Sequence, residues 1–446
     1  MRITFIRPNM YDERSSDAME PLCFAILKSL TPPDIDVSFF DERLEPVPFD
    51  HATDLLALTV ETYTARRAYQ IADSYRDRGV PVVMGGYHPT FLPDEALLHA
   101  DAVVKGDAEG IWPQVLDDAA NGSLQPLYES PDFVPLDGYM PDRSIFAGKK
   151  YAPMGLVQYG RGCKFNCTFC SIRAFYGTSL RQRPVVEVVE DIRRSGRRHI
   201  FLIDDNLFVN REKARELFEA LISLRIAWSC QVSIDIARDE KLVNLMAHSG
   251  CISALIGFES LQPESLREVK KGWNLKWQSY DRAISVFRRA GIMLYGTFVF
   301  GCDNDTTDAF NESVAFAIRN KFMLANFNPL TPMPGAPLYQ RIQQEGRLLY
   351  DRWWLDPDFR YGDATFAPMH MTADRLTGEC FAARMKFNSV GSIVRRLFDL
   401  RTNMRSPYRA GIYLAANLIS RREILRKQRH RLGAATGRER LVEEHA

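Results

Sequence analysis

Short apolar runs rich in branched residues alternate with longer segments of helical period through most of this chain. Five such runs lie in the first 105 residues. Parallel strands need a crossover between them, and a helix is the usual crossover, so this alternation favours parallel sheets covered by helices on both faces. The sequence therefore predicts an α/β protein with a Rossmann-like first region. The five runs are Ile3–Ile6, Val37–Phe40, Leu55–Val60, Val80–Met84 and Ala102–Val104.

A linker rich in proline, glycine and aspartate, from about residue 125 to residue 150, separates two such regions. Beyond it, six further strand candidates alternate with longer helical stretches, one of them at Trp277–Ala290. Six β/α units predict a partial (β/α)6 barrel rather than the eight units of a closed one, and the pattern alone leaves a second open sheet as an alternative. The six runs are Gly155–Tyr159, His199–Asp204, Ala227–Ile234, Ile252–Glu259, Leu294–Gly301 and Ala325–Leu330.

These patterns divide the 446 residues into three predicted units. The first is a domain at 1–135, the second is the barrel at 150–345, and the third is a mostly helical C-terminal extension at 346–446. A hydrophobic share of 46% and a charged share of 25% are typical of a soluble globular protein. The net charge of +1 gives no electrostatic argument for nucleic acid.

The N-terminus shows no signal peptide, and no apolar run approaches the roughly 20 residues that a membrane span requires. Five of the eight cysteines are scattered and three are bunched, a usage that suggests metal binding or catalysis before disulfides. We therefore expect a protein of the reducing cytoplasm.

The three bunched cysteines lie within eight residues, directly after the first strand of the predicted barrel. The segment is Tyr159-Gly-Arg-Gly-Cys163-Lys-Phe-Asn-Cys167-Thr-Phe-Cys170, and its glycines let the backbone approach a bound group closely. Structural zinc sites and electron-transfer clusters usually take four protein ligands. Three thiolates leave one metal position open, which substrate chemistry at a metal requires. Three buried cysteines of a turn, or a zinc site completed by a distant histidine, are the alternatives.

This segment resembles the signature of the radical S-adenosylmethionine (SAM) superfamily, in which Cys-x3-Cys-x2-Cys follows a strand that opens a β/α barrel. The match extends to the Gly-Arg-Gly before the first cysteine and to the Phe-Cys-Ser at the end. The resemblance implies that Cys163, Cys167 and Cys170 hold a [4Fe–4S] cluster and that SAM binds its open iron. It also implies reductive cleavage of SAM to methionine and a 5′-deoxyadenosyl radical, which abstracts hydrogen from the substrate.

Polar residues and glycines at the ends of later strands resemble further landmarks of that family. Asp-Asp-Asn follows the second barrel strand where the family usually has Gly-Gly-Glu, and Gly-Phe-Glu-Ser ends the fourth. Active sites of barrels gather at strand carboxyl ends, so these positions are expected to converge. In the alternatives, the aspartates cap the helix near residue 210, Glu259 is a solvated acid, and the glycines serve packing. The SAM contacts that the resemblance implies are Asp204, Asp205, Asn206, Gly257, Glu259, Ser260, Gly296 and Gly301.

Two glycine-containing loops follow the fourth and fifth runs of the first region, Met-Gly-Gly-Tyr-His-Pro-Thr and Lys-Gly-Asp-Ala-Glu. Open parallel sheets bind ligands outside the carboxyl ends of their strands, where both loops lie. The pair resembles the cobalamin-binding domain of class B radical SAM enzymes, a resemblance that covers residues 1 to about 345. The cobalamin contacts that it implies are Asn9, Met10, Thr59, Gly85, Gly86, His88, Thr90, Gly106 and Glu109.

The loop after the first run departs from the pattern of classical cobalamin domains. Those domains place a histidine there as a cobalt ligand, whereas this loop reads Arg-Pro-Asn-Met-Tyr-Asp. We therefore expect the cobalt to face Asn9–Tyr11 without a histidine. A vestigial domain kept for packing, and a His88 that is only a loop residue, are the alternatives.

Residues 391–432 carry eleven Arg or Lys against two acids and pair them with apolar helical stretches. Such helices either present a solvated face, as where they cover a barrel mouth, or lie on an anionic membrane as a peripheral contact. A hydrophobic substrate such as a hopanoid, an isoprenoid lipid or a tetrapyrrole would suit membrane contact. Aromatic residues of the extension are then either a pocket wall or core, namely Trp353, Trp354, Phe359, Tyr361 and Phe366.

By resemblance, the predicted function is cobalamin-dependent radical SAM methyl transfer to an unactivated carbon of a hydrophobic or natural-product substrate. A tetrapyrrole-type cyclase, oxidoreductase or rearrangement enzyme is the alternative among enzymes, and a non-catalytic cobalamin or cluster sensor is the alternative outside them. A methylthiotransferase is disfavoured because the first region holds only Cys23 and so cannot bind a second cluster.

Cys302, at the end of the fifth barrel strand, is a candidate catalytic thiol, with an inert small hydrophobe as the alternative. The expected partners are a small-molecule substrate and a reductant such as flavodoxin or ferredoxin.

Overall fold

The computed structural model describes residues 1–11, 13–131, 134–276 and 280–434. The first three residues of the predicted helix Trp277–Ala290 and the last twelve of the predicted extension lie outside this range. Two six-stranded parallel sheets dominate the structure. The α/β class with parallel sheets is thereby confirmed.

The first sheet has the strand order β2-β1-β3-β4-β5-β6. The chain reverses its direction of winding between β1 and β3, and ligands of open parallel sheets bind at such a point. Three helices of 9 to 12 residues and two short helices of 4 and 5 residues connect its strands. The strands are β1 (Arg2–Arg7), β2 (Asp36–Asp41), β3 (Leu55–Thr59), β4 (Val82–Gly85), β5 (Ala102–Lys105) and β6 (Leu127–Glu129), and the helices are α1 (Leu22–Leu30), α2 (Ala65–Arg76), α3 (Tyr87–Phe91), α4 (Pro93–Ala96) and α5 (Trp112–Ala120).

The second sheet has the order β7-β10-β11-β12-β13-β14, and its two outer strands, β7 and β14, do not pair with each other. It contains all six strands predicted for the barrel. Its strands are β7 (Gly155–Val157), β10 (His199–Leu202), β11 (Ala227–Gln231), β12 (Cys251–Glu259), β13 (Met293–Phe300) and β14 (Leu324–Pro329), and β8 (Gly160–Arg161) and β9 (Arg181–Gln182) form a separate antiparallel pair.

Eight helices follow or connect these strands. Several end or begin at residues that favour such positions: Asn210 caps α8 with its side chain, and Gly196 ends α7 in the left-handed conformation. The helices are α6 (Ser171–Tyr176), α7 (Val185–Ser195), α8 (Arg211–Ile222), α9 (Glu240–His248), α10 (Pro263–Glu268), α11 (Tyr280–Ala290), α12 (Asp308–Arg319) and α13 (Pro337–Gln344).

The C-terminal extension contributes three helices, α14 (Ala373–Phe387), α15 (Val390–Leu397) and α16 (Pro407–Lys427). Ile393 and Tyr413, from α15 and α16, pack against Ile252, Met293 and Met323. Those three residues lie at the amino ends of β12 to β14. These two basic helices therefore lie at the end of the barrel opposite to its mouth and not over the mouth.

Two other parts of the extension, around residues 353–359 and residue 432, pack against the first sheet. Trp353, Trp354 and Phe359 are buried in the core beside α2, together with Leu432. Gly433 forms a bridge to Tyr11 in the loop after β1. These three aromatic residues therefore belong to the core and not to a pocket wall. In the described part of the chain, no helix is both long enough and apolar enough to cross a membrane.

Candidate active site

The three bunched cysteines lie in the loop between β8 and α6, beyond the carboxyl end of β7. Cys167 is buried, Cys163 and Cys170 are partly buried, and none forms a disulfide. Burial is the main cause that raises the pKa of the Cys167 thiol to about 11, and the neighbouring Cys170 and Cys163 act in the same direction. Among the described residues, no three His, Cys, Asp or Glu side chains converge closely enough to bind one metal ion. In an iron–sulfur cluster each cysteine thiolate binds a different iron, so the three sulfurs need not converge on one point.

Gly162 and Asp205 hold the beginning of this loop. The Gly162 N–H donates a 2.7 Å hydrogen bond to Asp205 Oδ2. Gly162 has a φ of +93°, and a Cβ there would lie 2.0 Å from the carbonyl oxygen of Ser179. Only glycine fits this position, since any larger residue would be strained and would overlap backbone.

Asp204 holds the preceding residues. Its Oδ1 accepts a 2.8 Å hydrogen bond from the Tyr159 N–H, and burial raises the pKa of its carboxyl to about 7. Helix α8 is capped by Asn210 instead. The two aspartates therefore support the backbone of the cysteine loop, and the alternative that they cap α8 does not apply.

Asn206 connects the loop to the barrel. Its Nδ2 lies 3.8 Å from Cys163 Sγ and 3.1 Å from Ser233 Oγ. Its Oδ1 accepts hydrogen bonds from the backbone N–H groups of Phe208 and Ser233. The amide is thus fixed with a donor directed toward the Cys163 sulfur.

Glu259 ends β12 with a φ of +61°, at an irregularity in the pairing with β13. Its Oε1 accepts a 2.6 Å hydrogen bond from Lys271 Nζ, and Thr297 Oγ1 lies 3.4 Å from its Oε2. A Cβ on Gly257 would lie 2.1 Å from Glu259 Oε1, so this glycine makes room for the ion pair. Because both side chains are buried, Glu259 is not a solvated strand-end acid.

Lys271 is a functional residue that the sequence analysis did not single out. Burial alone would lower the pKa of its ammonium group, but Glu259 and the nearby thiols of Cys167 and Cys170 raise it above its ordinary value. The positive charge therefore lies between the cysteine loop and the end of β12. The sequence signal at this position is a lysine followed directly by a glycine, and this pair is too common to indicate a site residue by itself.

Other strand-end residues have packing surroundings. A Cβ on Gly296 would lie 2.6 Å from the Phe322 ring, and one on Gly301 would lie 2.8 Å from Leu376. Ser260 Oγ accepts a hydrogen bond from the Gln262 N–H and so turns the chain toward α10. For the two glycines, these contacts favour the packing alternative.

Cys302 is 2% exposed and belongs to the barrel core. Burial, reinforced by Asp305 and Glu268, raises the pKa of its thiol well above the ordinary value. Its N–H donates to Asp305 Oδ2 at 3.1 Å. These surroundings favour the inert thiol over a catalytic one.

A cavity of about 390 Å³ lies between the carboxyl ends of β3 to β5 and the start of the barrel. Gln158, Arg161 and Asp205 line it from the barrel side. Five of the predicted cobalamin contacts line it from the first sheet, namely Thr59, Gly85, Gly86, Gly106 and Glu109. Gly86 has a φ of +105°, and a Cβ there would lie 2.8 Å from the carbonyl oxygen of Val60.

Thr90 is next to this cavity and fixes both glycine loops. Its Oγ1 donates to the carbonyl oxygen of Gly86 at 2.7 Å and accepts from the Gly106 N–H at 3.1 Å. The hydroxyl thus sets the distance between the two loops. Its role in the structure is to position them.

Asn9, Met10 and His88 are not among the residues that line this cavity. The polar groups of Asn9 bond within its own loop and to Glu42. His88 is fully buried, and its Nε2 lies 3.0 Å from Tyr69 Oη and 3.1 Å from Glu95 Oε1. His88 lies in α3 rather than in a loop, and its ring is engaged within the protein. Arg7 and Glu61 line the cavity, whereas Asn9–Tyr11, which were expected to face the cobalt, do not.

Arg161 links the region of the cysteine loop to the loop after β5 across the cavity. Its Nη1 donates to Asp107 Oδ1 at 2.8 Å and its Nη2 to Glu109 Oε1. Arg181 also donates to Asp107. Because Arg161 lies two residues before Cys163, one guanidinium links the loop after β5 to the cysteine loop.

Sequence comparisons agree with this arrangement. Residues 157–317 match the sequence profile of the Radical SAM superfamily. The chain is 31% identical over 366 residues to the bacteriochlorophyllide d C-8(2)-methyltransferase of Chlorobaculum tepidum, which covers 77% of this chain and 80% of the relative. It is 29% identical over 390 residues to the bacteriochlorophyllide d C-12(1)-methyltransferase of the same organism, 84% of each chain.

The fold also resembles that of a solved structure. The cobalamin-dependent S-adenosylmethionine radical enzyme OxsB, with aqua-cobalamin and S-adenosylmethionine bound, has a TM-score of 0.65 to this chain at 15% identity. The likeness covers 94% of this chain and 71% of OxsB. At this identity the likeness shows only that this chain and OxsB share a fold across both sheets and the extension.

Proposed function

This chain belongs to the cobalamin-dependent radical SAM enzymes, and we propose that it transfers a methyl group to an unactivated carbon of a chlorin-type tetrapyrrole. The chain is about as similar to one bacteriochlorophyllide d methyltransferase as to the other. The observation that carries the proposal is the cavity between the sheets, because it is lined both by loops of the first sheet and by residues on either side of the cysteine loop, Arg161 and Phe175.

We assign Cys163, Cys167 and Cys170 as the ligands of the cluster. When SAM and cobalamin are bound, the cluster provides for the reductive cleavage of SAM and cobalamin serves as the methyl carrier. The protein's own part is to hold the loop in one conformation. Asp204 and Asp205 do so through the backbone, and the Asn206 amide donates toward the Cys163 sulfur.

We assign Gly257, Glu259 and Ser260 to the SAM site, together with Asp204, Asp205 and Asn206. Lys271 Nζ donates to Glu259 Oε1 and so fixes the carboxylate at the end of β12. A buried carboxylate that is paired in this way offers its remaining oxygen to a cationic amine. Gly296 and Gly301 act indirectly in this assignment, since they let Phe322 and Leu376 approach the strands.

We assign Thr59, Gly85, Gly86, Gly106 and Glu109 to the cobalamin site, with Thr90 as a positioning residue. The glycines leave the carboxyl ends of β4 and β5 open, so a flat macrocycle can approach backbone directly. In this assignment the unit at 1–135 binds cobalamin and the unit at 150–345 carries out the radical chemistry. The extension at 346–446 covers these two units. The cavity lies where the first two meet.

Oxidative cyclisation without methyl transfer is the second candidate, and it is less favoured because both of the relatives described above are named methyltransferases. A reductant such as flavodoxin or ferredoxin is required for reductive cleavage of SAM. Peripheral membrane contact of 391–432 stays a prediction. It draws support from exposed apolar side chains on α16, namely Leu414, Leu418, Ile419 and Leu425.

Anaerobic reconstitution followed by mass spectrometry tests the proposal. With bacteriochlorophyllide d, SAM and a strong reductant, we expect S-adenosylhomocysteine, 5′-deoxyadenosine and a pigment heavier by one methylene group. The Cys163→Ala variant should lose iron and all three products. The matched Cys302→Ala variant should keep the cluster and form all three. Deoxyadenosine without a methylated product would favour the second candidate.

A further inference from the structure

A second cavity, about 410 Å³ in volume, lies on the barrel mouth beneath the C-terminal extension. It shares no lining residue with the cavity between the sheets. Cys170 and Ser171 of the cysteine loop line one side, and Val299 and Asn328 line it from the ends of β13 and β14. A molecule bound here would lie beside the cluster loop.

Arg384 of α14 lines this cavity as a buried cation. The residue is 8% exposed, its Nε donates to the carbonyl oxygen of Cys380 at 3.3 Å, and its Nη2 donates to Gln428 Oε1 at 3.0 Å. Both acceptors are neutral, and the guanidinium makes no ion pair with any carboxylate of the described residues. A buried charge without a counter-ion is costly, so this position is suited to an anionic ligand.

One further polar atom of the lining, Asp363 Oδ1, is buried without a hydrogen-bond partner in the described part of the chain. The Asn328 side chain is exposed at the end of β14. The lining also contains apolar and aromatic residues, namely Tyr63, Phe169, Pro329, Leu330, Met333 and Tyr361.

We propose that this cavity holds the methyl acceptor and that Arg384 binds a carboxylate of that acceptor, with Asp363 placed for a hydrogen-bond donor of the same molecule. The assignment deepens the proposed function and rests on it. Arg384 is the single guanidinium among the lining residues, and its charge matches the one negative charge of a carboxylate rather than the two of a phosphate monoester. The aromatic wall suits a flat, hydrophobic body attached to that carboxylate.

The first test compares an acid with its ester on the reconstituted wild-type holoenzyme. Fluorescence quenching measures binding of bacteriochlorophyllide d and of its propionate methyl ester, which differ in one charge. We expect the acid to bind about 10- to 100-fold more tightly, the range of a hydrogen bond to a charged group. Equal affinities would overturn the carboxylate assignment.

Variants then locate the effect. Arg384→Gln should lower the affinity for the acid to that for the ester, and Arg384→Lys should retain part of the difference. Arg375→Gln is the matched control, because this arginine lies on the same helix but is exposed and pairs with Glu379. A preference for the acid that survives in Arg384→Gln would also overturn the assignment.

A second measurement does not depend on the pigment. Phenylglyoxal modifies accessible guanidinium groups, and mass spectrometry of the Arg384 peptide follows the reaction in the holoenzyme. Excess benzoate should slow modification of Arg384, whereas excess benzamide should not, and equal rates would refute a carboxylate subsite for any substrate. Formation of 5′-deoxyadenosine in the same samples reports on the proposed function separately.

Discussion

Arg161 donates a 2.8 Å hydrogen bond to Asp107, and this contact links the region of the cysteine loop to the first sheet. Asp107 follows β5 of the first sheet, and Arg161 ends β8 just before the cysteine loop. The guanidinium is also bonded to Glu109, so two carboxylates of one loop surround it. The relative position of the two halves of the site is set largely by this buried ion-pair network.

Removing the Arg161 charge should uncouple the two halves. The Arg161→Gln variant leaves Glu109 as a buried carboxylate without its cation, a change that costs roughly 3–5 kcal/mol. We expect loss of bound cobalamin and of methyl transfer, with 5′-deoxyadenosine formation better preserved. Cobalamin content after gel filtration measures the effect, and Arg194→Gln, which removes an exposed pair with Glu190, is the control. Retention of cobalamin by Arg161→Gln would contradict the coupling.

Gly162 should tolerate no side chain. In Gly162→Ala, the left-handed backbone and the contact with the Ser179 carbonyl oxygen together cost at least about 2 kcal/mol. We expect a lower melting temperature and less iron per chain after reconstitution. Gly378→Ala is the control, because nothing lies near its added Cβ and it is within α14; alanine there should raise helix stability by about 1 kcal/mol or less.

The Lys271–Glu259 pair should behave as a unit. Lys271→Met leaves the Glu259 carboxylate buried without its cation, so we expect a loss of stability of roughly 3–5 kcal/mol and weaker SAM binding. Adding Glu259→Gln to this variant should restore much of the stability but not the affinity for SAM. Chemical denaturation and equilibrium dialysis give the two quantities of the double-mutant cycle. Additive losses of stability would show that the two groups do not interact.

Asp204 should make stability depend on pH. Burial raises the pKa of this carboxyl to about 7 in the folded chain, against about 3.9 for an ordinary aspartate. Between these values the folded chain holds a proton that the unfolded chain has lost, so stability falls as pH rises from about 4 to about 7, by on the order of a few kcal/mol. Denaturation of wild type and Asp204→Asn at several pH values isolates this contribution. A difference between them that does not change with pH would refute it.

Local sequence patterns were sufficient for the strands and for the cysteine loop. The predicted strands were found because their branched apolar residues are buried on both faces of parallel sheets. Strand β6 was missed, since Leu127–Glu129 is three residues long, exposes two of its side chains and lies beside the proline-rich linker. The cysteine loop was recognisable because its three thiols and its glycines are adjacent in the chain.

Contacts between distant residues could not be predicted from the same patterns. Lys271 meets Glu259 only because the chain turns through α10, and Arg161 meets Asp107 across 54 residues. The basic helices illustrate the same limit. Arg396 is buried and donates to the carbonyl oxygens of Phe322 and Met323, which fixes α15 at the amino ends of the strands, although its sequence is that of a solvated face.

The core beside α2 contains Trp353, Trp354 and Leu432, which are made long after the strands that they cover. While the chain is still being synthesised, part of one apolar face of the first sheet therefore stays open to water until residue 432 has left the ribosome. Its folding is expected to finish after translation rather than during it. A fragment that ends at residue 135 should aggregate. The longer chain should depend on chaperones in the interval before residues 353–432 pack against the first sheet.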